Sequence, residues 1–138
     1  MRFSEDFKIG LIISNPVLGE IILDNLRELG FHNIWLESNH SRGYMTLNSE
    51  SEFNTQMVIT DVPVNGNEGN FLNEVRRIDR YSKVPILLLH SFEQGSVISK
   101  LSENGVTGNL QYPFEKKKLD QVLDVLYGKF IDKIPYRF

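Results

Sequence analysis

Short apolar blocks alternate with longer amphipathic stretches along most of this chain. Ile9–Ile13 is an unbroken apolar run and predicts a buried strand. Asn15 and Pro16 follow, a helix-start pair in which the amide side chain caps and proline takes the first turn. Leu18, Ile21, Ile22, Leu26 and Leu29 repeat at helical spacing until Gly30 supplies a stop. Ile34–Leu36 predicts a second strand, with Trp35 in or near the core. Residues 38–55 are rich in Ser, Asn and Glu, with Tyr44, Met45, Leu47 and Phe53 as their apolar positions, and predict only a short helix.

Met57–Thr60 is a third apolar strand ending at Asp61, before a turn-rich loop holding Pro63, Asn65, Gly66, Asn67 and Gly69. Phe71, Leu72, Val75 and Ile78 mark the next helix, and Pro85 introduces the strand Ile86–Leu89. Val97, Ile98 and Leu101 predict a fourth helix ended by Gly105, and Thr107–Gln111 a weak fifth strand. Leu119, Val122, Leu123, Val125 and Leu126 line the last helix, ahead of a short aromatic tail over 128–138. Five strand-then-helix units imply a parallel sheet covered on both faces. Right-handed crossovers then favour an α/β, doubly wound, five-stranded sheet of order 2-1-3-4-5. Neither an internal repeat nor a linker interrupts the pattern, so residues 1–138 read as a single domain with its core over about 8–127.

Composition narrows the function classes. The absence of cysteine excludes a disulfide framework, a thiolate zinc site and a cysteine nucleophile. Fifteen basic residues against eighteen acidic ones, a formal −3, suit neither a nucleic acid partner nor a phosphate-neutralising surface. No apolar run approaches the roughly 20 residues that span a bilayer. Glu5 and Asp6 ahead of the first apolar run do not fit a signal peptide, so a cytoplasmic location is expected.

In a doubly wound sheet, function gathers at the carboxyl ends of the strands. Those ends bring together Ser14 and Asn15, Asp61, His90 and Ser91, and Tyr112. Asp61 is the carboxylate among them; a strand-end carboxylate can serve as a nucleophile, a metal ligand or a helix cap, and alone it reads as evenly structural as functional. His32 and His40 fall in loops and carry no pattern; neither a Ser–His–Asp order nor metal-ligand spacing emerges from three scattered histidines.

Asp61 with Gly69 at +8 and a helix following resembles the phospho-acceptor loop of bacterial response-regulator receiver domains, although Pro63 stands at +2 where that family's proline is usually at +4. Met57-Val58-Ile59-Thr60, Pro85-Ile86-Leu87-Leu88-Leu89, Gly30-Phe31, Gly105-Val106 and Tyr112-Pro113-Phe114 fall in the same register, the last matching a Lys-Pro-Phe motif except at its lysine. The likeness spans about residues 8–127 and implies a flavodoxin-like (βα)5 receiver of the chemotaxis-regulator type.

The resemblance also implies a dismantled site. Ser14 and Asn15 stand where the family's acidic pair holds Mg²⁺, and neutral oxygens are weaker ligands for a hard dication. Tyr112 occupies the lysine position and cannot supply its charge. His90 replaces the switch hydroxyl, with Ser91 one place later, and Asn109 replaces the switch aromatic. Asp61 is the remaining phospho-acceptor candidate, expected to be ionised; a structural or partner-contacting role is favoured over a retained acceptor. His90 reads either as a partner for Asp61 in place of the metal or, by preference, as a strand-end histidine bonded to backbone; with a titration range near neutrality it is also a candidate pH-sensitive group. Asn15 reads as a cap.

These expectations lead to an atypical pseudo-receiver: a protein–protein interaction module in two-component signal transduction, not an enzyme, with weak Mg²⁺ binding at most and at Asp61 if anywhere. The alternative is a response regulator phosphorylated at Asp61 by a histidine kinase. Lys116-Lys117-Lys118 read first as a solvated face and, as the alternative, as a docking patch. The resemblance implies the face of the fourth helix, fifth strand and fifth helix, with Tyr112, Phe130 and Tyr136 nearby, as the expected interface for a kinase or a second copy. A small flavin or nucleotide enzyme is disfavoured, because Ser14-Asn15-Pro16-Val17-Leu18-Gly19 lacks the glycines of a phosphate loop. Direct DNA binding lacks an appended helix-turn-helix, and a membrane partner lacks any signal.

Overall fold

A computed structural model describes residues 6–50, 54–62, 68–94 and 106–128. Five parallel strands, β1 (Ile9–Ile12), β2 (Ile34–Glu37), β3 (Met57–Asp61), β4 (Ile86–His90) and β5 (Gly108–Gln111), form one sheet of order β2-β1-β3-β4-β5. The described helices are α1 (Pro16–Glu28), α2 (His40–Ser49), α3 (Glu68–Arg77) and α4 (Lys116–Leu126). The flavodoxin-like α/β sheet expected from the apolar blocks is therefore the one observed. The helix expected at Val97–Leu101 and the tail after Gly128 lie outside the described residues.

Each central strand is buried throughout because helices cover both faces, which is why β1, β3 and β4 are continuous apolar runs. Alternate residues feed opposite layers. Leu11, Ile59 and Leu87 pack with Ile22 and Leu26 of α1 and Leu119 and Leu123 of α4. Ile12, Val58 and Leu88 pack with Leu47 of α2 and Leu72 and Val75 of α3. α1 ends at Gly30, whose φ of 100° lets the Gly30 and Phe31 N–H groups return to Arg27 O and Leu26 O. Residue-pair register aligns Ile12 with Thr60 and Asp61 with Leu89, so β1, β3 and β4 finish at one edge.

The helix over 40–49 forms despite a polar sequence. Asn39 caps it, its side chain accepting from Arg42 N at 3.1 Å. Arg80 closes the other end by donating to Leu47 O and Asn48 O at 2.9 and 2.8 Å. Between these caps α2 buries only Gly43 and Leu47. Gly43 rests on β1 so closely that a Cβ there would lie 2.6 Å from Ile12 Cδ1.

The edge of the sheet opposite Asp61 holds a second polar cluster. Glu50, the residue after α2, accepts from Thr55 N at 3.1 Å, from Thr55 Oγ1 at 2.8 Å and from the Tyr81 hydroxyl. Its other oxygen pairs with Lys8. Trp35 Nε1 donates to Thr55 Oγ1 at 2.8 Å. Burial alone would raise the Glu50 pKa, but the bonds from Lys8, Tyr81 and Thr55 outweigh it and the net shift is downward. Burial, with Glu50 beside it, pushes the Tyr81 phenol up to about 12.

Candidate functional site

Asp61 ends β3 and is only 4% exposed. A buried carboxylate must be compensated, and the chain's own donors surround it. Ser14, just past β1, donates its N–H to Oδ1 at 3.0 Å and to Oδ2 at 3.1 Å, and its hydroxyl to Oδ2 at 2.7 Å. Asn15 N–H reaches Oδ2 at 3.3 Å. These donors are fixed by the β1–α1 junction: Ile13 N–H bonds Glu37 O at 3.0 Å, and the Asn15 side chain accepts from Val17 N at 3.1 Å and Leu18 N at 3.2 Å. Capping α1 therefore engages the Asn15 carbonyl oxygen of the side chain.

The remaining donor among the described residues is His40, the first residue of α2. Its Nε2 lies 3.2 Å from Asp61 Oδ1 and 3.0 Å from Asp61 O. Both partners are acceptors, which assigns the proton to Nε2. Phe71 of α3 stands edge-on to the imidazole with ring centroids 5.1 Å apart. Burial works to raise the Asp61 pKa, but the hydrogen bonds from His40 and Ser14 prevail and hold it below the ordinary aspartate value of 3.8.

His40 is the residue that pattern reading missed, having placed it in a loop without a role. A signal was present: the strand order sets the end of β2 beside the end of β1, so the segment 38–40 belongs to the same edge as Ser14 and Asp61. His90, weighed as the partner of Asp61, turns elsewhere. Its Nδ1 lies 3.1 Å from Ser91 O and its Nε2 3.2 Å from Asn109 Oδ1. The β4–β5 register sets His90 opposite Gln111 and Leu88 opposite Asn109, which puts the Asn109 amide within reach of the ring.

Tyr112 is half-buried and precedes a cis peptide to Pro113, its N–H bonded to His90 O at 2.9 Å. Burial and then the Asp61 charge raise its pKa, against a lowering hydrogen bond with Ser91, so the phenol stays neutral. The site's sequence positions thus separate into two bonded groups: Asp61 with Ser14, Asn15 and His40, and His90 with Ser91, Asn109 and Tyr112.

For a hard dication the donor set is poor. Among the described residues no group of three or more His, Cys, Asp or Glu side chains is placed to hold a metal. The carboxylate oxygens already accept from Ser14, Asn15 and His40, and the Asn15 oxygen is used by the helix. At the other candidate surface, Lys116, Lys117 and Lys118 are exposed on α4, and Lys116 Nζ pairs with Glu28 Oε2 of α1 at 2.7 Å. Phe130 and Tyr136 lie outside the described residues. No helix among the described residues is long and apolar enough to cross a membrane.

Comparison with known proteins places this geometry in a class. The receiver domain of the sensor histidine kinase PA1611 from Pseudomonas aeruginosa PAO1, a structure with magnesium in its active-site cleft, superposes with a TM-score of 0.75 at 21% identity, covering 88% of this chain and 97% of that one. Chemotaxis response regulator CheY4 of Vibrio cholerae gives 0.73 at 19% identity, over 87% of this chain and 98% of that one. The chain has the fold of a response-regulator receiver domain.

In sequence, it is 23% identical over 127 residues to chemotaxis protein CheY-3 of Vibrio cholerae, covering 91% of this chain and 95% of that protein. It is 26% identical over 130 residues, 92% of its length, to a protein described as "Probable transcriptional regulator ycf29" from Pyropia yezoensis, and spans 56% of that relative's length. No protein-family model matches the chain.

Proposed function

We propose that this chain, as a single receiver-like domain with its core over about 8–127, works as an atypical receiver: a protein–protein interaction module of signal transduction, not an enzyme. Its site at Asp61 is degenerate for Mg²⁺-dependent phosphorylation. The observation carrying this reading is that Ser14, Asn15 and His40 already satisfy the Asp61 carboxylate. A ligand would have to displace these bonds before gaining any of its own, and phosphoryl transfer needs a cation over the equatorial oxygens. Magnesium binding is weak at most. The partner is a protein, a histidine kinase or a second copy, docking on the face around β5 and its flanking helices in the cytoplasm, without nucleic acid or membrane.

A second reading keeps Asp61 as an acceptor of phosphate from a histidine kinase. It is favoured by one observation, the position of the Asp61 carboxylate at the end of β3 on the shared strand-end edge, where hydrogen bonds from His40 and Ser14 favour its charged form. Titrating the ¹⁵N-labelled protein with Mg²⁺ and then beryllofluoride separates the two. The module reading expects amides around Asp61 to stay still while the fold remains intact. Saturation at millimolar Mg²⁺, with shifts spreading into β4 and β5 on adding beryllofluoride, would overturn it in favour of the second.

A further inference from the structure

We infer that α2, tied to Asp61 through His40, is the element that responds when Asp61 is engaged, and that His40 is the positioning residue that couples them. The donors to Asp61 differ in what they are attached to. Ser14 and Asn15 belong to the β1–α1 junction, held by the sheet and by the cap of α1. His40 begins a helix whose packing is thin: α2 buries only Gly43, which rests on Ile12 of β1, and Leu47. Such a helix lies toward the low-stability end of a structure.

The two ends of α2 are held by different means. At its far end Glu50 is bound by Lys8, Thr55 and Tyr81, while Arg80 caps the last carbonyls. At its near end, besides the Asn39 cap, the seat of Gly43 on Ile12 and the ring contact of His40 with Phe71, the polar contacts tying it to the sheet edge among the described residues are those of His40 Nε2 with Asp61 Oδ1 and O. Losing the first therefore loosens the first turn, which keeps the bond to Asp61 O, while the last turn stays pinned, and the helix shifts about its Glu50 end. By contrast, His90, Asn109, Ser91 and Tyr112 are bonded among themselves, and among the described residues none donates to the Asp61 carboxylate. Of the bonded routes out of Asp61, the one to α1 passes through the firmly held β1–α1 junction, and the yielding one runs to α2.

This coupling is a property of the unmodified protein and stands whether or not Asp61 accepts phosphate. Hydrogen–deuterium exchange of the full chain, without Mg²⁺ or beryllofluoride, tests it with His40→Ala, Asp61→Ala and the double variant, and with Asp61→Asn should the alanine variant not fold. The amides of Gly43 to Leu47 should exchange about tenfold faster in either single variant. The double variant should be no faster than His40→Ala, because that variant already removes the contact with Asp61 Oδ1 together with the bond to Asp61 O. His40→Gln, which restores a side-chain N–H, should recover part of the protection, and amides of β5 should not change. Unchanged exchange in His40→Ala, additive effects, or loosening of β5 instead of α2 on altering Asp61 would each overturn the inference. A purely structural role for His40, through its contact with Phe71, predicts additivity and no rescue by Gln.

Discussion

Replacing Asp61 by Asn should destabilise the protein, and the sign of that effect is the informative part. Oδ2 accepts the Ser14 hydroxyl at 2.7 Å and the N–H groups of Ser14 and Asn15 at 3.1 and 3.3 Å. The Asn carbonyl would take that side, which carries more bonds, but without the charge that makes such bonds roughly twice as strong. The amide NH₂ then replaces Oδ1 and faces Ser14 N–H and His40 Nε2–H, donor against donor. Ser14 N–H keeps the carbonyl on the Oδ2 side and His40 Nε2–H keeps the main-chain oxygen of residue 61 at 3.0 Å, so the group left unsatisfied is the new amide NH₂, at about 1–3 kcal/mol for a buried donor. A domain of this size has about 5–15 kcal/mol in hand, so the variant should still fold. With a urea dependence of about 1–3 kcal/mol per molar, the midpoint should fall by about 1 M with an unchanged slope. Far-UV circular dichroism in urea at neutral pH measures this. A cluster of mutually repelling carboxylates would behave oppositely, since removing one charge relieves the others. An Asp61→Asn variant as stable as the parent, or more so, would refute the view that Asp61 is satisfied by the chain itself.

Acid should erode this advantage. The folded-state pKa of Asp61 is depressed, so its contribution is complete above the ordinary 3.8 and is lost as pH falls through the lower folded value. The gap between parent and Asp61→Asn in urea midpoints should therefore narrow below about pH 4. Tyr81 acts at the other extreme: its raised pKa means stability present below the usual value of 10 and lost as pH climbs toward 12. Tyr81→Phe should flatten that alkaline loss and cost about 1 kcal/mol at neutral pH through the missing bond to Glu50, read by thermal melts across pH. Gly43→Ala offers about 1 kcal/mol of helix propensity. Its Cβ would meet Ile12 Cδ1, Cγ1 and Cγ2 at 2.6–2.7 Å, and overpacking of about 1–3 kcal/mol should win. A melt showing net stabilisation would mean that α2 lifts off β1 without penalty.

The sheet was legible because β1, β3 and β4 are buried on both faces and therefore written as unbroken apolar runs. α2 was harder to read, since its stability comes from Asn39, Arg80 and Glu50 at its ends rather than from a hydrophobic stripe. His40 was illegible for a related reason. Its partner is 21 residues away, at the end of β3, so no local spacing marks the pair. Only the strand order, applied to the end of β2 as well as to the other strand ends, would have brought it to Asp61. The likeness to receivers drew attention to His90 by position, whereas the side chain found its partners in Asn109 and Ser91.

Trp35 is the chain's single tryptophan. Its indole N–H bonds the Thr55 hydroxyl, which in turn donates to Glu50, the carboxylate also bound by Tyr81. The protein thus carries an intrinsic fluorophore wired to the pinned end of α2. Ionisation of Glu50 or loosening of that helix end would alter the hydrogen bonding and solvation of the indole, so emission colour and quenching by iodide give an optical readout of this pole with no label attached.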